Sequence, residues 1–179
     1  ESLFDYTHAV QCFERILSII TSEDQYKEVI SKKTLSTEET LMHSYYINSK
    51  IHIAKIFINT GEWDKAKDVY DTLDTYKITD NESYYLFLQG FGQYYNLKRD
   101  FKSSSIYLNK ALEVAKSIKN KSYIAKITGM LADCQYDTGN LKEALIGFKK
   151  ELELFKENND DLGTANSQCN IGKTFLATG

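Results

Sequence analysis

From Ala144 onward, Ala144, Leu145, Phe148, Leu152 and Phe155 recur at helical spacing, with lysines and glutamates among the residues between them. Steps of three and four place such residues on one side of a helix with 3.6 residues per turn. The same stripe recurs at Ala66, Val69, Tyr70 and Leu73, and again at Ile106, Leu108, Ala111, Leu112 and Ala115. A short polar break precedes each stripe, and a second amphipathic segment precedes each break. Those segments carry Ile53, Ala54 and Phe57; Phe91, Gly92 and Tyr95; Leu131 and Ala132; and Ile171, Gly172 and Phe175. The pattern predicts helices over about 5–20, 41–59, 62–77, 81–97, 100–118, 122–138, 140–157 and 161–178. Residues of about 21–40 break it and are expected to form an irregular insert, with a long polar loop, a short helix around Gln25–Lys32 or an extended first helix as the options.

The breaks are periodic. DTGNLKEALIGF (Asp137 to Phe148), GEWDKA (Gly61 to Ala66) and RDFKSS (Arg99 to Ser104) share one frame, with Arg99 and Ser104 standing where the others have glycine and alanine. The anchors Gly61, Arg99, Gly139 and Gly179 are 38, 40 and 40 residues apart. Upstream, FDYTHA fits with Phe4 at the anchor position. A small residue stands seven positions before each anchor, at Ala54, Gly92, Ala132 and Gly172, where close helix approach would require one. Asp80, Ser122 and Asp160 are the expected N-caps of the helices that lead into the anchors.

These residues resemble the tetratricopeptide repeat, in which a small residue and an aromatic on a first helix precede a glycine turn, with alanine and an aromatic on the second. Ala132, Gly139, Ala144 and Phe148, and then Gly172, Phe175 and Gly179, reproduce that pattern, and the likeness covers roughly residues 1–20 and 38–179. The period is near 40 instead of 34, lengthening the helices by about a turn and a half, and the closing proline is missing. Long, proline-free repeats look like those of cell-polarity adaptors and of peptide-sensing cytosolic regulators of Gram-positive bacteria. The resemblance implies an all-α fold, a right-handed α–α superhelix of antiparallel helix pairs forming one domain over 1–179. Because neither end carries a polar capping face, the stretch is expected to be part of a longer array.

Composition narrows the function. The chain has 179 residues and no proline, which favours uninterrupted helices. A net charge of -3 argues against nucleic-acid or anionic-membrane binding, and no apolar run is long enough to span a bilayer. Cys12, Cys134 and Cys169 are odd in number and scattered, which suggests free thiols in a reducing, cytoplasmic setting. In that setting the sequons at Asn81 and Asn120 carry no weight.

No catalytic constellation emerges, and the chain is expected to be non-enzymatic, without metal or cofactor. His43 and His52, nine apart on one helix, point in opposite directions, and neither they nor His8 pair with a cysteine at metal spacing. GFG at Gly90–Gly92 and IGKT at Ile171–Thr174 lack the strand and glycine context of phosphate loops. Asp160 and Asp161 suit a helix start. The thirteen tyrosines mostly occupy packing positions such as Tyr45, Tyr70 and Tyr95 instead of a basic stacking groove.

The resemblance also implies where a partner would sit. First helices line the concave side of such a superhelix, and the family frame directs inward Asn48, Ile51, Lys55 and Ile58; Leu86, Gln89, Gln93 and Asn96; Lys126, Gly129, Asp133 and Tyr136; and Asn166, Cys169, Lys173 and Leu176. The polar members, Asn48, Lys55, Gln89, Gln93, Asn96, Lys126, Asp133, Tyr136, Asn166 and Lys173, form the candidate peptide-binding face, since amides and mixed charge can pair with an extended backbone. The pairs Ile51 and Lys55, Gln89 and Gln93, Gly129 and Asp133, and Cys169 and Lys173 do not match the lysine–asparagine clamp that grips chaperone tails. The expected function is a protein- or peptide-binding scaffold, monomeric or weakly self-associating. The alternative is the peptide-sensing part of a cytosolic bacterial regulator that controls an attached effector or DNA-binding domain.

Overall fold

A computed structural model describes residues 3–20, 22–32 and 34–178. Gly179, the last expected anchor, lies outside the described residues, as does the side chain of Phe4. Among the described residues the chain is all-α, with nine helices and no strand: α1 (Leu3–Ile20), α2 (Glu23–Ile30), α3 (Thr37–Asn59), α4 (Trp63–Asp74), α5 (Asn81–Leu97), α6 (Phe101–Ser117), α7 (Lys121–Asp137), α8 (Leu141–Glu157) and α9 (Asp161–Thr178). They fall into two compact units, Glu1–Gly90 and Phe91–Gly179.

The turns explain the period. Gly61 and Gly139 adopt the left-handed φ values of 78° and 82°, and Arg99 takes the same conformation at 61°. Lys119 and Asn159 do so as well, at 56° and 55°, so from Arg99 onward a left-handed residue recurs every twenty positions. At each turn the residue after it donates its N–H to a carbonyl five back: Glu62 to Phe57, Asp100 to Tyr95, Asn120 to Ala115, Asn140 to Gln135 and Asp160 to Phe155, at 2.8–3.1 Å. This is the Schellman closure of a helix end. In three turns the same residue then caps the next helix through its side chain: Asp100 accepts from Ser103 N–H, Asn120 from Tyr123 N–H and Asp160 from Gly163 N–H. One residue therefore closes one helix and opens the next, which is why a three-residue turn suffices. Asp80 caps α5 as expected, through the N–H of Ser83 at 2.7 Å. The expected cap at Ser122 is corrected to Asn120, because the Schellman closure leaves Asn120, not Ser122, in the extended cap conformation.

In the second unit, α7 packs against α6 and α8, and α8 against α9. Ala132, Ala144 and Phe148 form a buried cluster with Tyr136 and Ile171 against it. A Cβ at Gly92 would come within 2.8 Å of the Leu108 side chain, and one at Gly147 within 2.7 Å of Ala132, so small residues set these helix approaches. Ser104, at the position where the other copies carry alanine, is fully buried and donates its hydroxyl to the Gly92 carbonyl at 2.9 Å. Gly172, by contrast, has open space around it.

In the first unit, α3 packs against α1, α2 and α4. Of the readings open for the insert at about 21–40, the structure has the short helix: α2 lies within it, and α3 begins at Thr37, ahead of the expected 41. Ser22 and Gln25 form a capping box that starts α2, and Ser36 with Glu39 does the same for α3. An eight-residue helix is marginal by itself. Tyr26 anchors it, stacking on Tyr46 with 3.6 Å between ring centroids. His43, 3% exposed, completes the anchor. Its Nε2 lies 3.2 Å from the Lys77 carbonyl, which can only accept, so Nδ1 is left to accept the Tyr26 hydroxyl at 2.6 Å.

Candidate functional site

The ten expected site residues divide between the two units. In the first, Asn48 and Lys55 are half-buried on α3. Gln89 is only 3% exposed, so its amide faces the interior and not a groove. Ile51 and Ile58, placed inward by the same frame, are core residues. The unit has a cavity of about 390 Å³ beside His43, Tyr76 and Lys77, but it takes in none of the expected residues.

The second unit brings five of them together. Gln93 and Asn96 are half-buried on α5. Lys126 on α7 and Asn166 on α9 line a cavity of about 380 Å³ with Ser122, Tyr123, Glu151, Phe155, Asp160, Leu162 and Gly163. Further along the same helices, Asp133, Tyr136 and Lys173 line a smaller pocket of about 110 Å³ with Phe148 and Asn170. Two successive first-type helices thus present their polar residues across a shared seam, and α8 supplies the floor.

Charge along the seam is uneven. Burial and then the nearby Asp137 push the Asp133 carboxyl up to about 6, with Lys173 pulling the other way. Glu151 is 9% exposed, and burial raises its carboxyl to about 7, with Asp133 adding to the rise and Ser167 opposing it. Its Oε2 has no hydrogen-bond partner among the described residues.

Glu151 escaped the sequence pattern, although a signal was present. Ala144, Phe148, Glu151 and Phe155 form one buried face of α8, forty residues beyond Ser104, Leu108, Ala111 and Ala115. A glutamate therefore occupies a core position that carries alanine in the preceding copy. Room for it comes from α7, where any side chain on Gly129 would collide with the Glu151 carboxylate. Among the described residues, no three His, Cys, Asp or Glu side chains are grouped so as to hold a metal, and no helix is long and apolar enough to cross a membrane.

No family model matches the chain, and no curated protein does. Among solved structures, 24 chains match. One is the crystal structure of BtubC (BKLC) from P. vanneervenii, with a TM-score of 0.71 at 12% identity, covering 99% of this chain and 68% of that one. At such low identity the likeness is one of fold. The chain has a helical-repeat fold.

Proposed function

We propose that the chain is a non-enzymatic module of tetratricopeptide type, its helix pairs stacked in a right-handed superhelix whose concave groove holds an extended segment of a protein partner. The observation that carries this reading is the seam between α7 and α9. Lys126 and Asn166 share one cavity, and Asp133, Tyr136 and Lys173 share the next. Amides, a phenol and both signs of charge in a row match the alternating donors and acceptors of a peptide backbone. The regular turns support a repeat architecture, and the likeness to BtubC supports the helical-repeat fold beneath it.

The test is to pan a random decapeptide library against the chain and measure the recovered peptides with the Asn96→Ala/Lys173→Ala double variant. Both side chains lie outside the core, Asn96 half-buried and Lys173 exposed, so helical content and melting temperature are expected to stay nearly unchanged. Affinity is expected to drop about tenfold or more, the loss of one or two polar contacts. Peptides that bind the double variant as well as the parent would place the site elsewhere.

A further inference from the structure

Glu151 is unusual in this fold because it is a carboxylate where the repeat calls for an apolar side chain. Burying an ionisable group without a partner is costly, yet α7 makes room for it with Gly129, the residue whose lack of a side chain lets the carboxylate lie against the helix. The carboxylate lines the cavity between α7, α8 and α9, and one of its oxygens is unpartnered. Around it the walls are largely apolar, formed by Phe155, Leu162 and Tyr123, while Lys126 and Asp160 stand among the remaining lining residues. Leu162 is 73% exposed, so an apolar lip borders an acidic floor. That combination suits a long aliphatic stem ending in a cation.

We propose that this cavity receives a lysine or arginine side chain of the segment bound in the groove, its stem against Phe155 and Leu162 and its cationic head on Glu151. The proposal rests on the groove-binding reading and supplies its first sequence preference. An acidic side chain would meet the Glu151 carboxylate with like charge, and a purely apolar one would leave it without a counter-ion, which is a penalty against wrong occupants. The groups facing Glu151 modulate the pairing. Asp133 on α7 adds negative charge, Ser167 on α9 favours the ionised form, and the flexible Lys126 ammonium competes weakly because Lys126 is exposed to water. Because its carboxyl sits near 7, ionisation and cation binding reinforce each other, and affinity rises with pH from 6 to 8.

The experiment uses three alanine–glycine decapeptides that differ only at a central lysine, norleucine or glutamate, titrated into the intact chain by calorimetry. The lysine peptide is expected to bind about tenfold more tightly than the norleucine peptide, with the glutamate peptide weakest. Glu151→Gln, which keeps the side chain's shape, is expected to erase the lysine preference. Leu162→Ala, at an exposed site that cannot unfold the core, is expected to weaken the lysine and norleucine peptides alike. Equal binding of all three peptides would overturn the pocket proposal and leave the groove standing. A lysine preference that survives Glu151→Gln would also overturn it. If none of the three binds, the groove reading fails and the pocket proposal falls with it.

Discussion

Left-handed backbone at Lys119 and Arg99 strains residues that carry a Cβ, whereas Gly139 and Gly61 bear the same conformation freely. Lys119→Gly is therefore expected to stabilise the second unit by about 0.5–1 kcal/mol, which thermal unfolding would register as a rise of about 2–4 °C. A lowered melting temperature would show that the lysine side chain contributes more than the strain costs. Ala144 lies at the opposite extreme. It is fully buried in the cluster with Ala132 and Phe148, so Ala144→Glu is expected to cost about 3 kcal/mol or more, measured by denaturant unfolding. These positions also show what was legible in the chain. Gly61, Arg99 and Gly139 stood out because two of them are glycines in register, and the structure gives all three the same φ sign. Lys119 and Asn159 were invisible because neither is a glycine that would mark a left-handed turn, and only the backbone reveals the twenty-residue half-period. Gln89 was misplaced for the opposite reason: an amide reads as surface until the helix is rotated and packed, and here it is 3% exposed.

At the scale of the helix, packing decided what pattern could not. Helix α2 is short and polar, so the pattern left loop and short helix both open, and one buried tyrosine and a capping box decide for the helix. Tyr26→Ala is expected to release it, and hydrogen exchange of residues 23–30 should accelerate while α4 stays protected. The latch is also pH-sensitive. Burial lowers the His43 pKa below its usual value, although its bond to the Lys77 carbonyl works against this. The unfolded chain then binds the proton first, so this contribution to stability is complete above about pH 6.5 and is lost as pH falls towards the folded value. Helices α7 to α9 respond in the opposite direction. The Glu151 carboxyl is raised from 4.5 to about 7, so the folded state holds its proton where the unfolded state has released it. That stability is complete below 4.5 and lost as pH rises to 7. Glu151→Gln is expected to flatten the dependence and stabilise the unit at pH 8 by on the order of 1–3 kcal/mol. Hydrogen exchange followed from pH 5 to pH 8 should slow in α2 and α3 and quicken in α7 to α9 once corrected for its intrinsic rate. A common trend in both groups would contradict the assignment.

At the scale of the whole molecule, the chain reads as a helical repeat whose regularity resides in its turns and whose individuality resides in the seam between first-type helices. Periodic anchors and small residues made the order of the paired helices readable, whereas α2 was only one of three readings open for the insert. The candidate site was readable in part, since Lys126, Asp133, Tyr136, Asn166 and Lys173 do border common cavities. Its most distinctive group, Glu151, lies on α8, outside the first helices that the repeat frame turns toward a groove. The measurement that tests the account most directly is an NMR titration of the isotope-labelled chain with a decapeptide recovered from panning. Backbone shifts are expected to move along α7 and α9 at Lys126, Gly129, Asp133, Asn166 and Lys173, saturating together with one affinity. Shifts confined to the exposed outer faces of α6 and α8, around Lys102, Lys110, Lys142 and Lys149, would contradict a concave binding groove.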